Sequence, residues 1–135
     1  TIDKQGNLFG LEEGSHGRIR KITADGKVST INVTLEVDGV VKPYEMVNKG
    51  ENISIDDQNN LYVGITYNVN NILKISTDGS SRLLIGGSVY GHKDDLVNSA
   101  LIAGPARMAF DKDGNLIFIE GSDKINVRKL QKEVN

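Results

Sequence analysis

Two histidines stand near acidic residues in this chain: His16 follows Glu12 and Glu13, and His92 precedes Asp94 and Asp95. Imidazole beside carboxylate is the raw material of a metal site or an acid–base pair. The spacing matches neither, because there is no H-E-x-x-H helix motif, no G-x-S-x-G elbow and no Gly-rich phosphate loop. With no cysteine there is no thiolate ligand or thiol nucleophile. Asp111-Lys112-Asp113-Gly114-Asn115 opens like an EF-hand calcium loop, yet Gly114 falls at the fourth position instead of the sixth, and Ser122 stands where a bidentate Glu is required. That segment reads as a hairpin turn. Tyr67 and Tyr90 offer aromatic faces on which a sugar or peptide could stack. Two glycosylation sequons, Asn32-Val33-Thr34 and Asn52-Ile53-Ser54, are about as many as the Asn and Ser/Thr content yields by chance.

The elements that must position these residues follow from composition and repetition. The 135 residues are 38% hydrophobic and 25% charged, the balance of one globular domain, and no apolar run approaches the length of a membrane-spanning helix. Sixteen basic against eighteen acidic residues give a net charge of -2, which supplies no general attraction to a phosphate backbone. Nucleic acid is therefore not an expected partner, and neither is membrane insertion.

A segment recurs three times, as IDKQGNLF (2–9), IDDQNNLYV (55–63) and FDKDGNLIFI (110–119), with Asn7, Asn60 and Asn115 spaced 53 and 55 residues apart. A second block keeps the same steps: RIRKI (18–22), NILKI (71–75) and NVRKL (126–130). A third, ADGKVSTI (24–31), returns as TDGSSRLLI (77–85) and has no counterpart after Leu130. Short apolar runs rich in Ile, Val, Phe and Tyr, bounded by Gly, Asn and Asp, predict strands and not helices. Each unit reads as a four-stranded up-and-down meander with strands a (53–55, 108–110), b (8–11, 61–65, 116–119), c (18–22, 71–75, 125–130) and d (27–31, 82–85). Consecutive apolar residues in strand b, and apolar positions three apart in strand c, predict sheets covered on both faces.

The succession D-x-x-G-N-L-Y-V, R-I-R-K-I and D-G-x-V-S-T resembles the NHL repeat. The resemblance covers about 1–31 and 52–130, and the segment 86–105, with Gly91, Asp94, Asp95 and Gly104-Pro105, is similar to that family's long connection. It implies an all-β fold, a β-propeller fragment of about two and a half to three four-stranded antiparallel blades. The blade units would be 1–31, 52–85 and 105–135, joined by long loops 32–51 and 86–104. It also implies a non-catalytic binding or scaffolding module of a bacterial extracytoplasmic protein, in the periplasm or at the cell surface. The alternative it allows is part of a propeller hydrolase or lyase, with a metal- or carboxylate-based site near the axis.

Alternate connections of a meander share an edge, so the tight a–b and c–d turns lie on one face and the long b–c and d–a loops on the other. Long loops on a rigid scaffold are where binding is expected. The candidate residues there are His16, Tyr67, Tyr90, His92, Asp94 and Asp123, for a protein, small-molecule or glycan ligand, with no catalytic set, metal or cofactor indicated. The basic residues Arg18, Arg20, Lys21, Arg128 and Lys129 lie within strand c, where their stems would cover neighbouring sheets while their heads reach water. The incomplete third unit predicts two uncovered faces, the Leu8 and Phe9 side of the first unit and the Ile117 and Ile119 side of the third. Either missing blades or self-association is expected to cover them.

Overall fold

In the computed structural model the described residues are 1–13, 17–44, 50–66, 70–87, 89–121 and 124–132. The alternation of apolar runs and Asp/Asn/Gly turns folds into twelve short strands, with no helix among the described residues. Sheet I is β1 (Leu8–Glu12), β2 (Arg18–Ile22) and β3 (Val28–Ile31), in that order. Sheet III is likewise β10 (Arg107–Phe110), β11 (Leu116–Glu120) and β12 (Asn126–Leu130). Between them β6 (Gly50–Ile55), β7 (Leu61–Ile65), β8 (Asn70–Ile75) and β9 (Ser80–Gly87) form an antiparallel meander.

That central meander is the one four-stranded unit among the described residues, and it is larger than the repeat predicts. The segment expected as a loop, 32–51, contains β4 (Thr34–Val37) and β5 (Val40–Pro43), and together they extend sheet II to six strands in the order β5-β4-β9-β8-β7-β6. The turn between them is Asp38-Gly39, both at positive φ (52° and 76°), the pairing that matches strand twist in a two-residue hairpin. Strand β4 runs parallel to β9, opposing Thr34 to Ser80 and Leu35 to Ser81, so sheet II is mixed where an all-antiparallel arrangement was expected. Thr34 N donates to the Gly79 carbonyl (2.9 Å) and Ser81 Oγ donates to the Thr34 carbonyl (2.7 Å), which secures the junction.

Two cores flank sheet II. Leu61, Val63, Ile65, Leu73 and Ile75 face sheet I and pack with Phe9 and Ile19, while Tyr62 and Ile72 face sheet III and pack with Met108, Leu116 and Phe118. Strand β7 is buried along its whole length, as a strand covered on both faces must be. Gly64 has a steric reason: a Cβ there would meet the Pro105 carbonyl oxygen at 2.3 Å. The adjoining strands β6 and β10 are stapled by side chains, since Ser54 Oγ donates to the Met108 carbonyl (2.7 Å) and Asn52 Oδ1 accepts from Met108 N (3.1 Å). Asn52 of the second sequon is thus engaged between sheets.

The outer sheets are covered on one face only. The expectation that Leu8 and Phe9 share an open side is corrected by strand alternation: Phe9 and Leu11 turn inward to the core, whereas Leu8 is 48% exposed beside exposed Ile22 and Val28. On sheet III the outward set is Ile119, half-buried Ile117, and Val127 at 69% exposure.

Candidate functional site

Two places between sheets II and III collect side chains that could do chemistry. The first is at the long-loop edge. Glu120, at the end of β11, is fully buried (0% exposed), and its carboxylate accepts from Ala103 N (3.0 Å), Arg128 (2.9 Å) and His92 Nδ1 (2.9 Å). A carboxylate here only accepts, so Nδ1 of His92 carries the proton. The side-chain amide nitrogen of Asn126 lies 3.0 Å from the same ring nitrogen.

Arg128 distributes its guanidinium over four acceptors: Glu120, the Leu101 carbonyl (2.6 Å), the Lys93 carbonyl (2.8 Å) and Asp94 (2.8 Å). Lys93 and Leu101 also exchange backbone hydrogen bonds, so one arginine pins both ends of the 93–101 excursion to sheet III. The expectation that Arg128 covers a sheet while its head reaches water is therefore corrected, since its side chain is 12% exposed and both terminal nitrogens of its guanidinium are bonded. This is what a buried carboxylate demands: a counter-charge and a full set of donors.

Of the candidate ligand residues, His92 and Asp94 are brought together in this latch. Tyr90 lies edge-on to His92 with ring centroids 6.0 Å apart, and is well exposed. His16, Tyr67 and Asp123 lie outside the described residues. Among the described residues no group of three or more His, Asp or Glu side chains could hold a metal ion.

The second place is at the opposite, tight-turn edge, and loop-based reasoning missed it. A cleft of about 150 Å³ opens there, with Tyr62, Leu84, Phe110, Leu116 and Leu130 as walls. Tyr62 and Phe110 meet edge to face at 4.9 Å. Lys74 lies directly across the ladder from Tyr62 and sets its ammonium 5.5 Å from the ring centroid. Arg82 and Lys132 add two further cations to the rim, and Asp56 and Asp57 supply its acids. Asp56 is committed to its own turn, accepting from Gln58 N (2.9 Å), Asn60 N (2.8 Å), Asn60 Nδ2 (2.9 Å) and the Tyr62 hydroxyl (3.0 Å). A signal for the cleft existed in the repeat: strand c carries Lys21, Lys74 and Lys129 at one position, facing Phe9, Tyr62 and Ile117 across the ladder.

No family model and no curated protein sequence matches the chain. Among solved structures it is similar to a structural genomics protein of unknown function from Bacteroides thetaiotaomicron VPI-5482, with 17% sequence identity and a TM-score of 0.57. The match covers 96% of this chain and 44% of that one, so the chain spans less than half of that protein's length. At this identity the likeness concerns the fold alone.

Proposed function

We propose that the chain is part of an NHL-type β-propeller, contributing about two and a half to three blades, and that it serves as a non-catalytic binding module. The reading is supported by three stacked sheets built on one repeating pattern. The observation that carries it is the contrast between the two ends of the sheet II–III junction. At the long-loop edge Glu120, the terminal nitrogens of Arg128 and Nδ1 of His92 are spent on internal bonds that tie the 93–101 excursion to sheet III, and among the described residues no cluster of three His, Asp or Glu surrounds them. At the tight-turn edge aromatic and aliphatic walls stand open beneath a charged rim, the makeup of a small-molecule pocket. Rigidity on one side and an open concavity on the other suit recognition better than turnover.

The test uses the ¹⁵N-labelled chain and a mixture of small organic fragments. Saturable amide shifts are expected at Tyr62, Lys74, Leu84 and Phe110. Shifts confined to 90–94 and 124–126 would overturn the placement in favour of the long-loop edge. Hydrolysis of chromogenic ester, phosphate-ester or glycoside substrates, abolished by His92→Ala, would overturn the non-catalytic reading and favour a propeller hydrolase.

A further inference from the structure

We infer that His92 makes the connection between sheets II and III a pH-sensitive strap: as an imidazolium it clamps the 93–101 excursion to sheet III, and as a neutral ring it lets the excursion open more often. Lys93 N donates to the Leu101 carbonyl (3.2 Å) and Leu101 N to the Lys93 carbonyl (3.1 Å), so the excursion closes on itself as a loop. Within it residues 94–99 are exposed and Ala100 is buried, so little apolar area holds it down. Its attachment falls largely to polar bonds at its two ends. Arg128 donates to the Lys93 and Leu101 carbonyls and to Asp94, while the Glu120 carboxylate accepts from His92 and from Ala103 N.

Imidazole is the side chain whose charge ordinarily changes between about pH 5 and 8. That of His92 is 40% exposed, so a proton reaches it without unfolding. The surrounding charges fix the sign. From β11 the Glu120 carboxylate meets Nδ1 at 2.9 Å and is fully buried, where a charge is poorly screened. From β12 Arg128 bonds the same carboxylate oxygen (2.9 Å) and turns its other terminal nitrogen to Asp94 (2.8 Å). On the connection itself Lys93 and Asp95 pair with each other (2.6 Å) and Tyr90 lies edge-on to the ring. Lys124, on the β11–β12 turn, is exposed to solvent, and Asp123 lies outside the described residues. A carboxylate in hydrogen-bond contact outweighs an exposed ammonium and a guanidinium shared between two carboxylates. Protonation therefore gives the His92–Glu120 bond two ionised partners in place of one. The added hold is present below the imidazole range and is lost as pH rises through it. Val97, on the same excursion, lines the cleft at the tight-turn edge, so opening the strap removes part of that wall. The strap stands whether or not the cleft takes a ligand.

The experiment follows amide exchange and methyl signals of the 135-residue chain by NMR from pH 5.5 to pH 8, with exchange expressed as protection relative to an unstructured chain at each pH. Protection of the Lys93 and Leu101 amides is expected to fall roughly fivefold over this range, the order of the difference between a hydrogen bond with one ionised partner and one with two. Protection at Val63, fully buried in sheet II, should stay constant. The Val97 methyl signals should move along the same pH curve. His92→Gln, which keeps an amide donor for Glu120 but does not titrate, should flatten both curves, and Glu120→Gln, which removes the anion, should flatten them too. Protection at Lys93 and Leu101 that is flat in the parent protein, or that rises with pH, overturns the proposal. So does a fall that persists unchanged in His92→Gln, since another group would then be titrating. Val97 signals that stay fixed while the two amides respond would overturn the link to the cleft. No ligand enters these measurements, so the fragment titration decides the binding-module reading separately.

Discussion

At the scale of single residues the most repeated device is an aspartate with an asparagine four positions on. Asp3, Asp56 and Asp111 each accept the backbone N–H groups two and four residues ahead, and each also accepts from the side chain of Asn7, Asn60 or Asn115. Between them the chain takes a left-handed turn at Gly6, Asn59 and Gly114, with φ of 82°, 65° and 81°. These turns were legible in the sequence because every partner lies within a few residues. The bond from His92 to Glu120 was not, because its partners are 28 residues apart and meet only when the connection folds back on sheet III. At Asp111 the Asn115 side chain, then the Asn115 backbone N–H, then the Lys129 ammonium favour the ionised carboxylate and hold its pKa well below the ordinary 3.8. A carboxyl whose pKa is depressed on folding contributes stability that is fully present above the unfolded value and is lost as pH falls toward the folded one. Asp111→Asn is therefore expected to lower the urea midpoint at pH 7 and at pH 5, with the gap to the parent protein narrowing at pH 3. A gap that stays constant across these three values would show that the charge contributes nothing.

Strands compare directly once their registers are aligned, and one diagonal on strands b and c recurs in each sheet as Glu12 and Arg20, Ile65 and Leu73, Glu120 and Arg128. The same geometry thus holds an exposed ion pair (2.6 Å) on sheet I, an apolar contact in the core on sheet II, and a buried ion pair (2.9 Å) on sheet III. Removing Arg128 alone strands the Glu120 charge in a fully buried site, a class of change that costs about 3–5 kcal/mol. Arg128→Leu is expected to destabilise by that order. The pair Glu120→Ile with Arg128→Leu, which copies sheet II, should cost less than the sum of its two single changes by about 1–2 kcal/mol in a double-mutant cycle. Additive costs in denaturant unfolding would mean that the pair is not coupled. The strands themselves were readable because each has copies at a fixed period. The β4–β5 hairpin was not read, although Asp38-Gly39 between Leu35, Val37, Val40 and Val41 is a strong hairpin signal. It has no second copy, and its docking on β9 joins Thr34 to Ser80, a long-range parallel contact that no local pattern announces.

On the scale of the whole molecule the three sheets stack in one direction, so each has a leading and a trailing face. The trailing face of sheet III, with Phe110, Leu116, Phe118 and Leu130, is buried against sheet II. Its repeat equivalent on sheet I, with Leu8, Ile22 and the Glu12–Arg20 pair, faces solvent. Conversely the leading face of sheet II, with Tyr62 and Ile72, is buried, while its equivalent on sheet III, with Ile117, Ile119 and Val127, is open. The two open faces are therefore the two halves of a contact that the molecule already makes between sheets II and III. Surfaces of that kind, next to a β12 edge paired on one side among the described strands, recruit a matching surface. In a solution of the 135-residue chain alone the matching surface is the opposite end of another copy, met head to tail. Light scattering is expected to show a mass that rises with concentration. Val127→Lys on one open face and Leu8→Lys on the other should each lower the average mass, since either change places an ammonium in the shared contact. Mixing the two variants should give no recovery beyond dimers, because each retains one good end. A monomer of 14.7 kDa that persists to millimolar concentration, with well-dispersed amide signals, would show instead that each outer sheet is stable with one face in water.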